Sequence, residues 1–166
     1  RFGEALDVVR RLLAGERVTR RGRFVEVDGA ELLPRPSRPI PLMIGSNGKR
    51  MLSIALPHAT HWNTWYADFD NDPERLPPLV RQVDRAWIDA GQGHRHLVKT
   101  VALHVSLTDG PRTRPGRPIA GSDDQVADRL REVEACGIEH VQLVLDPVVP
   151  GAVERAGSIR RILSGR

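Results

Sequence analysis

Between Ile44 and Met51 the chain reads Gly45-Ser46-Asn47-Gly48-Lys49-Arg50, and these residue types can hold a phosphate. Glycines let an anion approach the backbone closely, and a helix that follows them offers unpaired N–H groups at its positive end. Ser46 and Asn47 add donors, and Lys49 adds a charge. The same composition also makes an ordinary strand-to-helix turn, since a short glycine motif is only a hypothesis. Downstream, Trp62-Asn63 ends a short strand candidate, and Trp65-Tyr66 follows on the same loop. An asparagine there can hydrogen-bond a ring or phosphate oxygen, and a tryptophan can wall a pocket. A core tryptophan beside a capping asparagine is the competing interpretation. Trp87 falls on a helical apolar stripe and is expected to pack in the core.

The remaining reactive side chains form no recognisable constellation. His58/His61 and His94/His96 are close pairs, yet neither has the spacing of a helical zinc site or a neighbouring Cys or carboxylate cluster. No metal is expected. Cys136 directly precedes a glycine that ends a helix, and it is expected to behave as a small buried hydrophobe. No Ser/His/Asp order or carboxylate pair suggests hydrolysis.

The elements that would position these residues alternate. Phe2, Leu6, Val9 and Leu13 recur at helical spacing, and Gly15 supplies the stop. Val18–Arg20 and Arg23–Val27 predict a hairpin turning at Arg21-Gly22. Pro34, Pro36, Pro39 and Pro41 predict an extended connector. Leu42–Ile44, His61–Thr64, Val98–Leu107 and His140–Leu145 are strand candidates; Leu42–Ile44 is wholly apolar and Val98–Leu107 is rich in Val and Leu, as strands buried on both faces are. Helices are expected between and after them: Lys49–Leu56, one opened by Pro77-Pro78, one capped by the Ser122/Gln125 pair, and one over Val153–Leu163. Four strand–helix units predict an α/β fold with a parallel sheet.

The 166 residues are too few for a closed (β/α)8 barrel, which needs about 250. Apolar residues are 40% and charged residues 28%, the balance of a globular domain, and no apolar run reaches the roughly 20 residues of a membrane helix. The net charge of +4 invites a nucleic-acid reading, but 21 acids interleave with 25 bases and aromatics are only 4%, so no stacking platform is visible. A single cysteine fits a reducing, cytoplasmic setting.

Five stretches together resemble the luciferase-like monooxygenases, especially their coenzyme F-420-dependent branch. They are Arg1–Leu6 with Leu12–Glu16; Gly22–Phe24 with Leu33–Pro36; Ile40–Leu52; Ala59–Asn63; and Ala135–Val141. The family's Gly-Gly-Ser-Gly-Pro loop is here Gly45-Ser46-Asn47-Gly48-Lys49, and its Ala-Asp-Gly-Trp-Asn is Ala59-Thr60-His61-Trp62-Asn63. The second change puts side-chain bulk where the family has a glycine near its ring pocket.

The resemblance implies the C-terminal half of a (β/α)8 TIM barrel as a single partial domain over residues 1–166. It implies coenzyme F-420 or FMN as cofactor, held by Gly45, Ser46, Asn47, Gly48, Lys49, Arg50, Trp62 and Asn63, with a small organic molecule as substrate. The family's first four strands contribute acid/base groups, so no catalytic residue is assigned, and the fragment alone is expected to be inactive. A non-enzymatic phosphate-ligand-binding remnant or interaction module is the alternative. Four strands leave two open edges, so either a homo-oligomer or an N-terminal half-barrel is expected to cover them; neither nucleic acid nor membrane is an expected partner.

Overall fold

A computed structural model describes residues 1–165. Four strands, β3 (Met43–Gly45), β4 (His61–Trp65), β5 (Val98–Val105) and β6 (His140–Leu145), form one sheet in the order β3-β4-β5-β6. The sheet is parallel and alternates with the helices α2 (Lys49–Ala55), α3 (Leu76–Asp89), α4 (Asp123–Ala135) and α5 (Pro150–Leu163). All four expected strands are present, each displaced by two residues or fewer at its ends. Sequential strands occupy neighbouring places, each joined to the next through a helical connection.

The chain divides into two compact units, Arg1–Trp62 with Arg85–Leu97, and Asn63–Asp84 with Val98–Arg166. In the first, helix α1 (Phe2–Leu13) buries Leu6 and Val8 and stops before Gly15, whose φ of 79° suits glycine alone. Beside it lies an antiparallel hairpin of β1 (Val18–Arg21) and β2 (Glu26–Ala30). The second hairpin strand starts three residues later than the hydrophobic pattern predicts. Glu4 of α1 is the reason: its carboxylate accepts the N–H groups of Phe24 (2.9 Å) and Val25 (3.1 Å). Those donors are withdrawn from the ladder, and Gly22 to Val25 become the turn. The N–H groups, that of Phe24 foremost, hold the Glu4 carboxyl below its ordinary pKa. A second tie joins Asp7 to Arg20 at 2.9 Å.

The second unit is organised on β5, which is buried from Thr100 to Val105. It pairs with β6 in register from Thr100↔His140 to Val105↔Leu145. Strand alternation puts Val101, Leu103 and Val105 on one face and Thr100, Ala102 and His104 on the other. Helices α4 and α5 pack together and bury Val126, Leu130, Val133, Ala152 and Ile159. The expected capping box is formed: the Ser122 hydroxyl accepts from Gln125 N at 3.2 Å, and Gln125 Oε1 accepts from Ser122 N at 2.8 Å.

β5 is eight residues long and β4 only five, so the last backbone groups of β5 need partners from elsewhere. Asn71 provides them. Its Oδ1 accepts from His104 N at 3.1 Å, while Nδ2 donates to His104 O at 2.8 Å and to Arg117 O at 3.0 Å. Ile119 adds a parallel bridge to Val105 as the loop returns.

Two substitutions measure these devices by chemical denaturation. Ser122→Ala should cost about 1 kcal/mol through the lost cap. Asn71→Ala should cost more, about 1–3 kcal/mol, because it orphans the buried His104 N–H; equal losses would contradict this ranking.

Candidate functional site

In the first unit the chain leaves β3 at Gly45, turns through Ser46–Gly48 and enters α2. Ile44 beneath it is buried, whereas Gly45, Gly48, Lys49 and Arg50 are exposed and Ser46 and Asn47 are half-buried. A Cβ added at Gly45 would meet nothing within 4 Å, and one at Gly48 would meet only Met51 Cγ at 4.0 Å. Both backbones therefore face open space. Gly48 has φ −73° and ψ 128°, a conformation any residue adopts, so the fold itself does not require glycine there. No side chain caps the first turn of α2, and that turn holds no acidic residue.

Trp62 is fully buried and supports the turn from below, its Nε1–H donating to Ser46 O at 3.0 Å. The indole packs in the core, and its one polar atom fixes a loop carbonyl. Thr60 and His61, which replace the family's Asp-Gly, do local structural work. The Thr60 hydroxyl and the N–H groups of both residues bond to Leu42, and His61 Nδ1 lies 2.8 Å from the Thr60 hydroxyl.

In the second unit Asn63 accepts from the Thr100 hydroxyl at 2.7 Å. Trp65 is exposed, while Tyr66 is buried and its ring centroid lies 5.1 Å from that of His104. At the C-terminal end of β6 stands a group the sequence reading missed. Asp146, buried, accepts from Thr113 N (3.1 and 3.0 Å), the Thr113 hydroxyl (3.2 Å) and Arg114 N (2.8 Å). His104, wholly buried, places Nε2 at 3.4 Å from Asp146 Oδ2. Nothing in the sequence flags Asp146, because its partners lie more than 30 positions away. Cys136 is half-buried at the C-cap of α4, and burial first, then Glu132, pushes its thiol pKa up. Among the described residues no group of three or more His, Cys, Asp or Glu could hold a metal, and no helix is long and apolar enough to cross a membrane.

Burial alone would raise the Asp146 pKa, but the Thr113 and Arg114 donors and His104 outweigh it and hold it below the usual aspartate value. A depressed carboxyl stabilises fully above its unfolded pKa and loses that contribution as pH falls through the folded value. Amide-exchange protection of Thr113 and Arg114 should therefore persist down to about pH 4, the ordinary aspartate value, and fade only below it. Loss of protection already near neutrality would contradict the anchoring role.

Residues 1–114 match the family described as luciferase-like monooxygenase. An uncharacterized protein of Mycobacterium tuberculosis is 26% identical over 110 residues, 66% of this chain and 36% of that protein. A coenzyme F-420-dependent glucose-6-phosphate dehydrogenase of Microbacterium testaceum is 36% identical over 55 residues, 33% of this chain and 16% of the enzyme. Among solved structures, a coenzyme F-420-dependent secondary alcohol dehydrogenase in complex with a cofactor–acetone adduct superposes with a TM-score of 0.76 at 16% identity, over 96% of this chain and 60% of that one. The coenzyme F-420-dependent tetrahydromethanopterin reductase of Methanopyrus kandleri gives 0.72 at 18% identity, over 94% and 60%. The chain thus spans about a third of the mycobacterial relative and 60% of these solved chains. With two thirds of its length matched and its strand–helix order shared, the chain belongs to the luciferase-like monooxygenase family.

Proposed function

We propose that this chain is the C-terminal part of an oxidoreductase that uses coenzyme F-420 or FMN on a small organic substrate, with residues Gly45 to Arg50 holding the cofactor phosphate. The observation that carries this reading is the open backbone at Gly45 and Gly48, joined to an uncapped helix start bearing Lys49 and Arg50. A phosphate suits such a donor set: peptide N–H groups at a helix start can donate to it, Lys49 and Arg50 can neutralise it, and the first turn of α2 holds no acidic residue. The names of the matched enzymes, three of them coenzyme F-420-dependent, support the choice of cofactor.

When bound, the cofactor would supply two-electron hydride chemistry. The chain's own part is to bind and orient. The N–H groups of Ser46 to Arg50 take the phosphate oxygens, and Trp62 keeps the Ser46 carbonyl turned inward so that it does not face the anion. Asn63 uses Oδ1 on Thr100, which leaves its amide N–H to donate to a ligand oxygen. Hydride transfer also needs a closed barrel mouth. β3 and β6 are the ends of the sheet order, and β6 is half-exposed from Val141 to Leu145. The remainder of the barrel, or a second copy of this chain, would pair with those edges, because apolar strand edges seldom stay open. The single cysteine agrees with action in the cytoplasm.

Gly48→Val in the whole protein tests the assignment cleanly, since the structure has room for the side chain and the backbone angles suit it. Melting temperature should hold while affinity for the cofactor falls at least about tenfold, roughly 1.4 kcal/mol. Unchanged affinity in the folded variant would reject the loop as the phosphate site.

A further inference from the structure

We propose that the loop between β5 and α4 is an arginine arm that binds an anionic group, phosphate or carboxylate, of a small-molecule ligand, and that Asp146 holds the arm in its binding shape. The arm is independent of the loop at 45–50. It leaves the C-terminal end of β5, the end at which parallel α/β folds place their ligands. Residues 109–117 carry Asp109 against Arg112, Arg114 and Arg117, and all are exposed. Neither Arg112 nor Arg114 has a side-chain hydrogen bond or ion pair among the described residues.

The way the arm is held explains why those cations stay free. A carboxylate beside an arginine ordinarily takes the guanidinium, often through two bonds. Asp146 instead takes the peptide N–H of Arg114 at 2.8 Å and both the N–H and hydroxyl of Thr113. Its charge is used inside the fold, and the Arg114 guanidinium is left outside. Further ties hold the two ends of the loop. Arg155 donates to Leu107 O and Gly121 O, each at 2.5 Å, and Asn71 donates to Arg117 O. Pro111, Pro115 and Pro118 restrict the remainder. A solvated surface loop does not need a buried carboxylate committed to its tip. A loop that presents two cations in fixed geometry does, because preorganisation lowers the entropy lost on binding.

The electrostatic and positional roles of Asp146 predict opposite signs, and this makes the proposal testable. Pyrophosphate and, separately, citrate are titrated into the whole protein at low salt and followed by calorimetry. Arg112→Gln with Arg114→Gln should weaken binding at least about fivefold, about 1 kcal/mol. Arg131→Gln with Arg160→Gln, which removes the same charge elsewhere, should change it less than about twofold, under roughly 0.5 kcal/mol. Asp146→Asn should also weaken binding, although it makes the protein more positive by one charge. Thr113→Pro deletes both Thr113 donors, the N–H and the hydroxyl, from the exposed side and should act in the same direction, which covers the case in which the Asp146 variant fails to fold. Repeating the series in Gly48→Val separates this arm from the loop at 45–50, whose failure would leave these ratios unchanged. Preference for pyrophosphate or for citrate identifies the anion class. The proposal is overturned if neither anion binds, if both arginine pairs have equal effects, or if Asp146→Asn in folded protein or Thr113→Pro leaves binding unchanged or tighter.

Discussion

A strand that outruns its neighbour leaves peptide groups that cannot remain bare in a protein interior. β5 is the buried centre of the second unit, and it is three residues longer than β4. Much of the second unit follows from how those groups are satisfied. The Asn71 side chain acts as a missing strand for His104, and Ile119 returns to bridge Val105. Asp146 N donates to Val105 O at 3.0 Å. That last bond sets the Asp146 side chain at the strand end, where it can gather the amides of Thr113 and Arg114. Backbone bookkeeping at one strand end thereby fixes the course of the longest loop in the unit.

The first unit meets a related constraint with different parts. β3 has only three residues, too few to hold its following turn by ladder bonds alone. Side chains supply the rest. Thr60 ties Leu42 at the start of the strand, and the Trp62 indole ties Ser46 just beyond its end. The result is a short strand and a firm turn, with the glycines free to face outward. A turn held from beneath can bind through its backbone without refolding, which is what a phosphate cradle requires.

Elements whose signals are local were legible in the sequence. The capping box at Ser122 and Gln125, the stop at Gly15 and the four strand candidates each depend on residues within a few positions. The structure places them where those patterns indicate. The hairpin was read with its second strand too early, because the deciding contact comes from Glu4, about 20 residues upstream. Asp146 and Asn71 were invisible for the same reason: their partners are 32 to 46 positions distant. Trp62 stands out in the sequence by its place at a strand end. Periodicity and motif position do not distinguish an indole that walls a pocket from one in the core; in the structure it is fully buried. Family membership was legible because five separated stretches had to match in order, which no single glycine loop could achieve.

The central claim is that residues 45–50 bind the phosphate of a deazaflavin or flavin cofactor. Its most direct test is a titration of the whole protein with coenzyme F-420 and with FMN, followed by backbone amide chemical shifts. Saturable binding of one cofactor, with the largest shifts at Ser46 to Arg50, is the predicted result. Binding of neither cofactor, or saturable binding that leaves those amides unmoved, would contradict it.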